Sequence, residues 1–153
     1  MAEMKRAYAQ LSIKAFDEEA RTIRGIATTP QTDHQDDIVE SKGASYKLPI
    51  PFLFAHDSKQ PIGDVTKAVV TDAGIEIEAQ IKKIPEPGKL KDRVDEAWQS
   101  IKYGLVRGLS IGFKDLESEP IKGSAWGRRI KKWSWLELSA VVIAANSEAS
   151  ITA

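Results

Sequence analysis

One serine stands between two glycines in Tyr103-Gly104-Leu105-Val106-Arg107-Gly108-Leu109-Ser110-Ile111-Gly112-Phe113. A hydroxyl flanked by bare backbone is a candidate nucleophile, and Ser110 is read as one. Gly108-Leu109-Ser110-Ile111-Gly112 matches G-x-S-x-G, which marks a hydrolase elbow only where a strand precedes it and a helix follows. Here Leu109, Ile111 and Phe113 fall on one side of a period-two pattern and Gly108, Ser110 and Gly112 on the other, so the serine lies within a strand. The plainer reading is a barrel strand whose glycines permit a bend or close packing and whose serine is solvated.

A second chemical group is His56, where the apolar run Phe52-Leu53-Phe54-Ala55 stops and Asp57-Ser58-Lys59-Gln60-Pro61 follows. It is one of two histidines able to act as a general base, and also an ordinary strand-end residue. Glu137 is the third: Leu136, Leu138, Ala140 and Val142 suit a core, which puts this carboxylate on the opposite face, wet in the plain reading. Asp33, His34, Asp36 and Asp37 have the chemistry of a hard-metal site, but their spacing matches no EF-hand, and the stretch Thr29–Asp37 reads as a solvated surface loop. No metal is expected.

These groups need elements to hold them. Residues 8–16 and Arg21–Thr28 alternate like strands joined by Asp17-Glu18-Glu19, and Ser41 is placed to cap a short helical turn through Tyr46. Pro61–Val70 and Ile75–Ile81 predict a hairpin closed at Thr71-Asp72-Ala73-Gly74. Leu90, Val94, Ala97, Trp98 and Ile101 recur at helical spacing, and Gly104 is placed to end that helix near residue 104. After Phe113 the chain turns polar to Gly123, and strand-like runs cover Ala125–Ile130 and Lys132–Ile143. The expectation is a mainly β chain of roughly six or seven strands with one long helix near 88–104.

With 153 residues the chain is one domain's worth, residues 1–153. Its 22 basic and 22 acidic residues cancel, and the pI is near 6.8, which favours neither nucleic acid nor an anionic membrane as partner. The absence of cysteine excludes thiol catalysis and Cys-ligated zinc, so any nucleophile is an oxygen. No apolar run reaches membrane-spanning length and the N-terminus lacks a signal-peptide core, so the chain reads as soluble and unexported. The ending, Asn146–Ala153, is small and polar, as at the trimmed or truncated end of a longer protein.

Three ordered pieces carry a resemblance: Phe54-Ala55-His56-Asp57 followed by Pro61-Ile62-Gly63, then Gly104–Phe113, then Glu137-Leu138-Ser139-Ala140-Val141-Val142-Ile143-Ala144-Ala145-Asn146-Ser147-Glu148-Ala149. Together they resemble the prohead maturation proteases of tailed bacteriophages, serine proteases related in fold to herpesvirus assemblin. The resemblance implies a closed, mostly antiparallel β-barrel with flanking helices, Ser110 as nucleophile, His56 as general base and Glu137 as the third member, where assemblin-like enzymes carry a second histidine. It implies action in the infected bacterium's cytoplasm, inside the assembling prohead, on scaffold and major capsid protein segments and on the protease itself, with no cofactor. A homo-oligomer is left open. The family's usual proline after the third strand is replaced by Ala144-Ala145-Asn146, so no oxyanion role transfers, and amides near Arg107 or Asn146 are the candidates. A catalytically silent assembly module and a small-ester hydrolase are the alternatives.

Asp57, Glu78 and Glu148 compete with Glu137 as the acid. Asp57 follows His56 directly and on a continuing strand points to the other face. Glu148 lies near an end expected to fray, whereas Glu137 sits mid-strand on the side inferred for Ser110.

Overall fold

The computed structural model describes residues 4–10, 16–28, 37–55 and 57–142. Ten strands form one sheet: β1 (Met4–Gln10), β2 (Phe16–Asp17), β3 (Thr22–Ile26), β4 (Ile38–Val39), β5 (Ala44–Ser45), β6 (Ile50–Phe54), β7 (Asp57–Thr71), β8 (Gly74–Ile81), β9 (Gly108–Pro120) and β10 (Arg128–Val141). The order is β1-β9-β10-β6-β7-β8-β3-β2, with β4 and β5 also paired to β10. The chain is thus mainly β, with one α-helix and a 3-10 turn at Ser41–Gly43 among the described residues.

Most ladders are antiparallel, as expected of the barrel, but β4, β5 and β6 all run parallel to β10. Among the described residues no ladder joins β1 to β2, the two ends of the order. The higher strand count comes from two-residue segments that periodicity cannot register (β2, β4, β5). Ser41 caps nothing: its Oγ lies 2.6 Å from Thr28 Oγ1, and Glu40 precedes the turn.

The hairpin β7–β8 forms where alternation placed it, with Ile75, Ile77, Ala79 and Ile81 buried on one face. The helix α1 (Lys89–Lys102) buries Val94, Ala97, Trp98 and Ile101 in the same core as the sheet, while Leu90 stays exposed. It ends in a Schellman motif: Leu105 N–H donates to Ser100 O (2.8 Å) and Gly104 N–H to Ile101 O (3.1 Å), with Gly104 at φ +74°, a conformation glycine adopts without a Cβ penalty. That turn feeds the chain straight into β9.

β9 does not stop at Phe113 but continues to Pro120 as an exposed arm. Its charges face opposite charges on β10, Glu117 across from Lys132 and Glu119 from Arg129, while Ile130 of β10 turns into the core. Nearer the body, Phe113, Trp133 and Trp135 form an aromatic chain (ring centroids 5.6 and 6.1 Å apart), extended by Tyr46 edge-on to Trp135 at 5.3 Å.

Arg21, at the turn before β3, pins the helix to the sheet by donating to Asp95 Oδ1 at 2.7 Å and to Lys82 O at 3.3 Å. Hydrogen bonds from Lys91 and Arg21 hold the Asp95 carboxyl below its ordinary value, against an opposing effect of burial. A depressed carboxyl stabilises the fold above the ordinary carboxylate range, and this is lost as pH falls through the depressed value. Asp95→Asn is expected to cost on the order of 1 kcal/mol at neutral pH, since the pair is only partly buried, and to flatten the acid limb of stability. Denaturant melts of both proteins from pH 7 to pH 3 check this; unchanged midpoints would show that the clamp contributes nothing.

Candidate active site

Ser110 is the third residue of β9, with both backbone edges of the strand occupied there, across from Tyr8 on β1 and Ser139 on β10. β9 continues as strand for ten residues beyond Ser110, from Ile111 to Pro120, so there is no nucleophile elbow and the small-ester hydrolase geometry is absent. Leu109, Ile111 and Phe113 face the core as the alternation requires. The opposite face is not wet: Ser110 and Ser139 are fully buried and Glu137 is 7% exposed. Among the described residues Ser110 Oγ is the buried side-chain oxygen with no hydrogen-bond partner. Such a group costs roughly 1–3 kcal/mol and calls for an explanation outside stability.

Glu137 reaches this face through an irregularity. On β10 the core residues are Trp133 and Trp135, then Leu138 and Ala140, a change of parity within one strand. The change comes from a bulge: Trp135 pairs with Phe113 and Glu137 with Gly112, leaving Leu136 as the extra residue. Leu136 and Val142, expected in the core, are therefore exposed (40% and 72%), the second lying beyond the strand end. Leu138 and Ala140 are buried as expected.

Gly112 has a specific use here. A Cβ on it would lie 2.5 Å from Glu137 Cγ and 2.7 Å from Oε1, so the glutamate side chain occupies the space the glycine leaves. The carboxylate thus lies over the residue two places along from Ser110, on the same face.

His56 lies outside the described residues, but the backbone on both sides of it is placed. Ala55 N–H donates to Ala140 O at 2.9 Å, and Asp57 pairs with Phe54. Leu53, Ser139 and Ser110 form one lateral row across β6, β10 and β9, so β6 and β9 are about 10 Å apart there. Ala55 holds φ +57°, a left-handed conformation costly for alanine, and such strain gathers at functional sites. Sequence reasoning missed Ser139 and Ala55, whose types carry no signal by themselves.

Two of the competing carboxylates have partners of their own. Asp57 Oδ1 accepts from Lys59 N–H at 2.8 Å, and Glu78 on β8 meets Arg24 (3.4 Å) and Lys67 (3.9 Å); Glu148 lies outside the described residues. Of the acidic loop, Asp33, His34 and Asp36 lie outside them too, and Asp37 Oδ1 accepts from Arg128 N–H at 2.9 Å. No metal-binding cluster occurs among the described residues, and no helix there is long and apolar enough to cross a membrane.

Two expectations follow. Ser110→Ala removes an unpaired buried oxygen and should leave the melting temperature equal or higher; a drop of several degrees would mean the hydroxyl has a partner in solution. Gly112→Ala forces the Glu137 side chain aside and should cost about 1–3 kcal/mol by overpacking, measured by chemical denaturation, with near-zero cost contradicting the packing.

The chain was compared with known proteins. It is 61% identical over 147 residues to the capsid polyprotein of Pseudomonas phage PAJU2, covering 96% of this chain and 22% of that protein. It is 32% identical over 119 residues to the prohead protease of Escherichia phage T5, covering 70% of this chain and 52% of that one. The chain therefore spans about a fifth and about half the length of these relatives. The bacteriophage T4 capsid assembly protease shares its fold, with a TM-score of 0.65 at 9% identity over 91% of this chain and 96% of that one. Residues 11–153 match the profile of the caudovirus prohead serine proteases, and the chain belongs to that family.

Proposed function

We propose that residues 1–153 act as a single serine endopeptidase domain of phage prohead maturation, with Ser110 as nucleophile, His56 as general base and Glu137 as the acid of the triad. The observation that carries this is the Glu137 carboxylate lying over Gly112, on the buried face where Ser110 holds an unpaired hydroxyl. His56 takes the Ser110 proton as Oγ bonds to the scissile carbonyl carbon, and then gives it to the departing amine. Water releases the acyl group by the same proton route. Glu137 accepts a hydrogen bond from the other ring nitrogen, fixing the tautomer and steadying the imidazolium. No cofactor takes part.

The substrates on this reading are major capsid protein and scaffold segments and the chain itself, within the assembling prohead of an infected bacterium. The relative named a capsid polyprotein supports that setting, since it carries a stretch like this chain within one longer protein. We also infer a closed barrel of the assemblin type. The two ends of the strand order, β1 and β2, are consecutive in sequence, which favours their being neighbours in a closed sheet.

One observation favours a second reading. Ser110 is fully buried, as in a catalytically silent assembly module, whereas cleavage requires this face to open to a peptide. Co-expression with capsid or scaffold protein, followed by mass spectrometry for new termini, separates the two. Ser110→Ala should abolish the new termini, and on a peptide spanning a mapped junction Glu137→Gln should lower turnover by on the order of 10²–10⁴, Asp57→Asn far less. Near-normal turnover in Glu137→Gln beside a dead Asp57→Asn would move the acid to Asp57, and absent cleavage by the native chain would favour the silent module.

A further inference from the structure

One buried side chain spans the bulge that turns Glu137 toward Ser110. Trp135 donates its indole Nε1–H to the Glu137 backbone carbonyl at 2.8 Å, a buried bond spanning the extra residue Leu136. Trp135 is itself fixed, 3% exposed and packed against Tyr46 and Trp133. Without the extra residue, parity would carry Glu137 onto the core face with Trp133 and Trp135. The bond thus ties the backbone of Glu137 to the aromatic core while its carboxylate lies over Gly112 on the other side of the sheet.

We infer that Trp135 is a positioning residue for catalysis, holding the bulge that aims Glu137 at the serine face. The inference rests on the reading of Glu137 as the acid of the triad. Removing the N–H takes away the bond that spans the bulge and frees it to shift, and displacements near 1 Å in a catalytic group cost on the order of 10²-fold. The loss falls on kcat rather than KM, because the indole lies in the core and touches no substrate.

The test uses a fluorogenic peptide spanning a junction mapped by mass spectrometry. Trp135→Phe should lower kcat by on the order of 10- to 10²-fold with KM nearly unchanged. In a Glu137→Gln background the same change should have no further effect, since the positioned group is already gone. If Trp135→Phe folds poorly, 3-benzothienylalanine at position 135 keeps the ring shape and removes only the N–H, and should reproduce the loss. Normal kcat in the variant lacking the N–H, or an equal fold-loss with and without Glu137, would overturn the inference while leaving the triad intact. Near-normal turnover in Glu137→Gln alone would overturn the triad reading and the inference with it.

Discussion

The pairing of β9 with β10 governs the rest of this structure. Because β1 holds the other edge of β9, the backbone around Ser110 is wholly committed to the sheet. On the proposed reading a peptide cannot reach the serine there by adding a strand, so it would come from the face, and the groups serving the serine would stand on that face too. The glycines follow from this, since Gly112 leaves room for a carboxylate from the neighbouring strand.

A strand alternates strictly, and a core needs its apolar residues on one side. β10 meets both demands by switching parity twice, between Ile130 and Trp133 and again between Trp135 and Leu138. The second switch places Glu137 and Ser139 beside Ser110 while Leu138 and Ala140 stay in the core. A straight strand with this sequence would bury a carboxylate among tryptophans or expose leucine and alanine.

Departures from ordinary protein chemistry gather at this face: an unpaired buried hydroxyl, a buried carboxylate, a bulge, and a left-handed alanine next to His56. Outside it Arg21 is also left-handed at the turn before β3, while the Schellman turn at Gly104 and the opposite charges along the β9–β10 arm follow local rules. Such departures concentrated at one face are what the proposed site would require.

Period and punctuation in the sequence determined the hairpin of β7 and β8, the helix between Pro87 and Gly104, and the division of β9 into an apolar row and a Gly-Ser-Gly row, because each depends on neighbours a few residues apart. The residue types of the proposed site were legible for the same reason, with serine, histidine and glutamate each interrupting an apolar run. The tertiary structure alone decided that the serine face is buried, that Leu136 rather than Glu137 points outward to solvent, and that β6 runs parallel to β10. Those outcomes come from strand order and from one extra residue in one ladder, a mismatch between two strands that neither strand's own sequence records.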